Sequence, residues 1–143
     1  MKKITGVILL QFSLLTLWGQ TLLIQVEMPG EENEILTPSY VSFLEEGMMD
    51  SMFDLGWICF NNRVPVLNPL DKDLQLSRET GSVYLVRIQP TDDSCSFQYS
   101  VYRIDSDLLI LEDLVAWKSL DSDSEEACYQ AGSAIIQKIK DKV

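Results

Sequence analysis

The sequence predicts an α/β (α+β) domain: a mixed sheet of about five strands, in the order β-α-β-α-β-β-β-α, with helices packed on it. Three observations carry this. In the first half of the chain, stretches of period-two alternation take turns with stretches whose apolar residues recur every three or four positions, the pattern of strand–helix–strand units. Residues 82–117 then hold three strand-like runs separated only by short polar turns, which predicts hairpin-linked strands. The C-terminal stretch returns to a helical stripe with its charges sorted to opposite ends.

Each element has its own signal. Thr21–Met28 alternates, with Leu22, Ile24 and Val26 on one side and Leu23, Gln25 and Glu27 on the other, and predicts the first strand. Pro29-Gly30-Glu31-Glu32-Asn33 ends it as a polar turn. Thr37-Pro38 opens a helix, with threonine as cap and proline where a missing N–H does no harm. Val41, Leu44, Met48, Met52 and Leu55 form its apolar stripe, Glu45, Glu46 and Asp50 fall off it, and Gly56 stands where a left-handed terminator is expected. Its methionines are read as core rather than as an adaptable binding groove.

Trp57-Ile58-Cys59-Phe60, bounded by Gly56 and Asn61-Asn62, predicts a short buried strand. Asn68-Pro69 starts a second helix reaching Thr80, with Leu70, Leu74 and Ser77 on one face and Gly81 as the stop. Ser82–Gln89 is rich in β-formers, and Pro90-Thr91-Asp92-Asp93 turns the chain. Cys95–Ile104 follows with Phe97, Tyr99 and Val101 opposite Ser96, Gln98 and Ser100, a half-solvated antiparallel strand. Asp105-Ser106-Asp107 turns into a last strand over Leu108–Trp117. The final helix is expected from Ser122, with Ser122 and Glu125 at capping-box spacing, a stripe of Cys128, Ala131, Ile135 and Ile139, and Lys138, Lys140 and Lys142 near its negative end.

Residues 1–20 predict a signal peptide and 21–143 a single domain. Met1-Lys2-Lys3 is a basic start, and the apolar run Ile4–Trp18 is too short for a confident membrane span of about 20 residues. Cleavage is expected near residues 19–21, at small Gly19. The alternative is an uncleaved anchor, extended by Leu22-Leu23-Ile24. Without residues 1–20, basic residues fall from 11 to 9 against 22 acidic ones, so the formal charge moves from −11 to −13. Such a surface repels phosphate backbones and anionic headgroups, which disfavours nucleic acid as a partner. No stable membrane span is expected after cleavage.

The chemistry-bearing residues point away from catalysis. The chain has no histidine, which removes His-dependent triads, imidazole ligands and the commonest general base. Cys59, Cys95 and Cys128 allow one disulfide in three pairings, or three small buried residues. Cys59 lies in an apolar run, where burial suppresses thiol reactivity. Asp121-Ser122-Asp123-Ser124-Glu125-Glu126 resembles the start of a calcium loop, but Glu126 occupies the glycine position and Gly132 the position of the bidentate acid. Helix capping accounts for these acids. Asp92-Asp93 and Asp105/Asp107 read as turn residues, and Glu45/Glu46 as solvated. There is no glycine-rich phosphate loop. No catalytic, cofactor-binding or metal-binding residue is assigned, and no cofactor is expected.

The element order, the segment Glu79-Thr80-Gly81-Ser82-Val83-Tyr84-Leu85-Val86, and the hairpin Tyr102–Leu108 with its terminal helix (Ala131, Ile135, Ile139) resemble the small periplasmic α/β domain at the amino end of TolB. They are also similar to CsgG-like and LpoB-like envelope proteins. Ser82-Val83 stands where that group commonly has Ala-Asp. The helix exit Gly47–Gly56 resembles uncharacterised exported spirochaete proteins. The resemblance implies a non-enzymatic envelope module, in the periplasm or at the cell surface, that binds another envelope protein. Sheet edges are the expected contact points, and so are Trp117 and Tyr102 where they are surface rather than core, both readings being open for each. The competing readings are a small-molecule or ion-binding periplasmic protein and a small carboxylate-dependent enzyme.

Overall fold

The computed structural model describes residues 20–118 and 123–143. Its elements are β1 (Thr21–Glu27), α1 (Pro38–Asp54), β2 (Ile58–Val64), α2 (Leu70–Glu79), β3 (Tyr84–Pro90), β4 (Ser96–Arg103), β5 (Leu108–Ala116) and α3 (Ser124–Lys142). The α/β (α+β) class and the order β-α-β-α-β-β-β-α expected from the sequence are therefore observed. The leader predicted over residues 1–20 falls almost wholly outside the described residues. Among the described residues no helix is long and apolar enough to cross a membrane.

The strands form one mixed sheet in the order β2-β1-β3-β4-β5. β1 pairs in parallel with β2 and with β3, and the β3–β4 and β4–β5 pairs are antiparallel hairpins. Alternation along β1, β3 and β4 sorts the side chains onto two faces. Leu22, Ile24, Val26, Tyr84, Val86, Ile88, Phe97, Tyr99 and Val101 join one large core with α1 and α3. A second, smaller core of Leu23, Leu74, Leu85 and Ile104 lies under α2 on the other face.

Some local expectations are corrected. The run Trp57–Phe60 is not a buried strand: β2 begins at Ile58, continues to Val64 and lies at the edge of the sheet, with Ile58 and Phe60 about half exposed. The chain passes from β1 to β2 and then back across β1 to reach β3, so the short apolar run ends up outermost. The predicted cap Ser122 lies outside the described residues. Asp123 holds the N-cap position of α3, and its Oδ1 accepts from the Glu125 amide at 3.1 Å. At the start of α1, Thr37 is at the cap position, yet its hydroxyl meets that of Ser39 rather than a backbone amide. The preceding amides of Ile35 and Leu36 are instead taken by Asn33 Oδ1. Gly56 and Gly81 adopt φ of 70° and 71°, the left-handed termination expected after α1 and α2.

Helices α1 and α3 cross closely. A methyl group at Gly47 would run into the Tyr129 carbonyl, and one at Gly132 into the Leu44 carbonyl. Ser51 and Ser133 hydrogen-bond across the same seam at 2.8 Å. Ala in place of a helical glycine ordinarily gains about 1 kcal/mol, whereas overpacking against a rigid backbone costs about 1–3 kcal/mol. Here the colliding atoms are backbone, so the cost wins. Gly132→Ala is expected to lower the unfolding free energy by about 2 kcal/mol in urea titration, while Gly30→Ala, in open surroundings, stays within about 0.5 kcal/mol. A more stable Gly132→Ala protein would contradict the close crossing.

Candidate functional site: the open half of the sheet

Helix α2 covers only β1 and β3 on the second face of the sheet. Its underside carries a buried ion pair. Asp73 is 1% exposed, and its Oδ2 meets Arg87 Nε of β3 at 3.1 Å. Its Oδ1 accepts from Gln25 Nε2 of β1 at 3.3 Å and from Asn68 Nδ2 at 3.2 Å. Arg87 Nη2 also donates to the Asn68 carbonyl. This cluster ties α2 and residues 65–69 to the sheet, helped by Glu27 Oε1, which accepts from the Leu67 amide at 3.1 Å. Residues 65–69 thus become a fixed wall.

Beyond that wall the face over β4 and β5 is uncovered. Gln89 Nε2 donates to Gln98 Oε1 at 3.2 Å, and Gln98 Nε2 donates to Glu112 Oε1 at 3.3 Å, so amides and a carboxylate cross three strands in a row. Two adjoining concavities, about 350 and 570 Å³, share Glu27, Gln89, Gln98 and Glu112. One continues past Val66 and Tyr102, the other towards Asp92 and Leu114. Val66 and Leu114 are 69% and 58% exposed. The site is a groove with a polar floor, acidic rim and exposed aliphatic flanks.

The remaining residues named from the sequence fall elsewhere. Trp117 is not a surface contact: it is 3% exposed, its indole N–H donates to the Ser94 carbonyl at 2.9 Å, and its ring packs against Tyr40 at 5.5 Å. Tyr102 does reach the groove. Glu45 is not solvated. It is buried between α1 and β2, facing Arg63 Nε at 2.8 Å and Asn61, so it fastens the edge strand; Glu46 is exposed. Asp93 is a turn residue as expected, accepting from the Thr91 hydroxyl and the Cys95 amide, which hold its carboxyl below the usual range. Asp107 also sits in a turn, at φ 53°, and pairs with Arg78. Of the calcium-like segment, Asp121 and Ser122 lie outside the described residues. Among the described residues no three of His, Cys, Asp or Glu converge to hold a metal.

All three cysteines are free. Burial raises the thiol pKa of Cys59, whose Sγ lies 3.2 Å from Met49 Sδ, and pushes Cys128 up to about 12. Ionisation of Cys128 therefore opposes folding: its contribution is intact below the ordinary value of 9.0 and is lost as pH rises towards about 12.

No family model and no curated protein sequence matches the chain. Solved structures of similar fold do. TolB from Acinetobacter baumannii superposes with a TM-score of 0.52 at 16% identity, over 86% of this chain and 29% of that one. A PelC dodecamer from Paraburkholderia phytofirmans gives 0.52 at 8% identity, over 82% and 85%. The C-terminal domain of LpoB from Salmonella enterica gives 0.45 at 14%, over 71% and 84%. The chain thus spans less than a third of the TolB length. The fold resemblance to TolB expected from the sequence is found among the solved structures.

Two measurements check this geometry. Asp73→Ala leaves Arg87 without its carboxylate and is expected to cost about 3 kcal/mol in urea titration, against under about 0.5 kcal/mol for the exposed Asp71→Ala. In timed alkylation at pH 8, Cys128 is expected to stay unmodified until denaturant is added; prompt labelling in the native protein would contradict its burial.

Proposed function

We propose that the chain is a non-enzymatic module of the cell envelope, exported by residues 1–20 as a cleaved leader and acting through protein contacts made by the domain 21–143. The observation that carries this reading is the uncovered half of the sheet. A sheet face normally buries itself against another layer. Here one short helix covers β1 and β3 and leaves the face of β4 and β5 open, with Leu109 and Leu114 exposed. Exposed aliphatic groups bordered by polar ones are characteristic of interaction surfaces.

The fold likeness supports the reading without naming a partner. The sequence resemblance to the periplasmic domain of TolB supports an envelope setting, and the PelC structure of similar fold is a dodecamer, so this fold is found in at least one multi-chain assembly. Enzymatic use of the groove is less well supported. Two of its carboxylates, Glu27 and Glu112, are bound respectively to a backbone amide and to the Gln98 side chain.

The test is site-specific photocrosslinking in intact cells. A benzophenone side chain at position 98 is expected to give a discrete crosslinked species in the envelope fraction, whereas one at position 130, on the exposed side of α3, is expected to give none. Matching patterns from the two positions would remove the groove as the contact surface. N-terminal sequencing of the same fraction is expected to begin near residue 20; an intact chain soluble in the cytosol would sink the export reading.

A further inference from the structure

We infer that the segment this groove receives is a short, extended, basic one with alternating apolar side chains, contributed by a partner protein. The inference rests on the contact reading above and adds the chemistry of the partner.

Charge is the first argument. Glu27, Asp92 and Glu112 line the groove, and among the described residues none of the three has a basic partner. The one basic side chain in the lining, Arg87, is already committed to Asp73 and to the Asn68 carbonyl. An incoming cation therefore meets carboxylates with no cation already beside them, and an incoming anion meets the repulsion of all three. Asp113, which also borders the groove but points to the opposite face of β5, differs from these three: it bonds to Lys138 Nζ at 2.7 Å, which holds its carboxyl below the usual range.

Shape is the second argument. The groove follows β4 from Tyr102 to Gln98 and on towards Asp92. At about 3.3 Å per residue, Tyr102 to Gln98 alone spans about 13 Å, the length of four extended residues. Side chains of an extended segment alternate in direction, so one set can meet Glu112 and the Gln89–Gln98 amides. The other can rest on the exposed aliphatic flanks, Val66 at the fixed wall and Leu114 on β5. The polar row asks for hydrogen-bonding partners, and the flanks ask for apolar ones. A basic–apolar alternation satisfies both.

The probe is a fluorescein-labelled Lys-Leu-Lys-Leu-Lys peptide, titrated by fluorescence polarisation with the protein recovered from the envelope fraction at low and at physiological salt. Its counterpart with Glu for every Lys is the charge control. The Lys peptide is expected to bind and to weaken with salt, and the Glu peptide is expected not to bind. Glu112→Lys is expected to weaken binding about fivefold, with Glu112→Gln and Leu114→Ser giving smaller losses. Glu46→Lys, in the acidic cluster between α1 and α3, is expected to leave it unchanged within about twofold. Circular dichroism of each variant verifies that its fold is kept.

Equal losses in Glu112→Lys and Glu46→Lys would mean attraction to overall negative charge and would overturn the inference. Binding of the Glu peptide, or of neither peptide, would overturn it too. A crosslink from position 98 obtained alongside such a failure would leave the contact reading standing and remove only the partner's basic character.

Discussion

Everything about this domain depends on how closely α1 and α3 cross. Gly47 and Gly132 each present bare backbone to a carbonyl of the opposite helix, so the two axes approach further than ordinary side chains permit. That closeness lets both helices sit on one face and bury side chains of β1, β3 and β4 in a single core, from Leu22 to Phe97 and Ile139. With two helices on that face, only the ten-residue α2 is left for the other.

Chain direction explains why α2 lands there. The crossover through α1 moves from β1 outward to β2; the crossover through α2 moves back the other way, past β1, to β3. Parallel crossovers keep a right-handed sense. When the direction of travel reverses and the hand does not, the connecting helix must switch faces. A short helix alone cannot cover five strands, so β4 and β5 are left open on that side. The buried Asp73–Arg87 pair serves this arrangement. It fastens α2 over β1 and β3 and fixes residues 65–69 as a wall, giving a flat open face the depth of a groove. The two sheet edges are guarded differently: β2 by polar Asn62 and Arg63 with Pro65 just beyond, β5 by Glu112 and Asp113.

Most of the fold was legible in the residues because its signals are local. Proline at the first turn of α1, glycine after α1 and α2, and the alternation of Phe97, Tyr99 and Val101 act within a few residues of where they stand. What escaped was decided by neighbours distant in the chain. Trp57–Phe60 has the apolar content of a buried strand, but its place at the edge follows from strand order, which no local pattern encodes. Glu45 reads as a solvated helix residue until β2 brings Arg63 and Asn61 against it. Trp117, at a strand end, reads equally as surface or core until the Ser94 carbonyl and the Tyr40 ring enclose it. The groove was hardest to see. Its one trace in the sequence is that Gln25 and Arg87 sit at inward-pointing positions of otherwise apolar strands, with Asp73 beside the Leu74 stripe of α2. Three polar groups so placed need one another, and together they mark where the second face is only partly closed.

The central claim is that one face of β4 is sealed by the α1–α3 pair while the other is open and becomes covered when the protein engages its partner. Single cysteines placed at 97, 98, 99 and 100 in a cysteine-free background, reacted with a small membrane-permeant thiol reagent, test it directly. In the isolated protein, positions 98 and 100 should label quickly and 97 and 99 should not; in intact cells, 98 and 100 should become protected. Labelling without alternation, or equal labelling of 98 and 100 in both settings, would contradict the account.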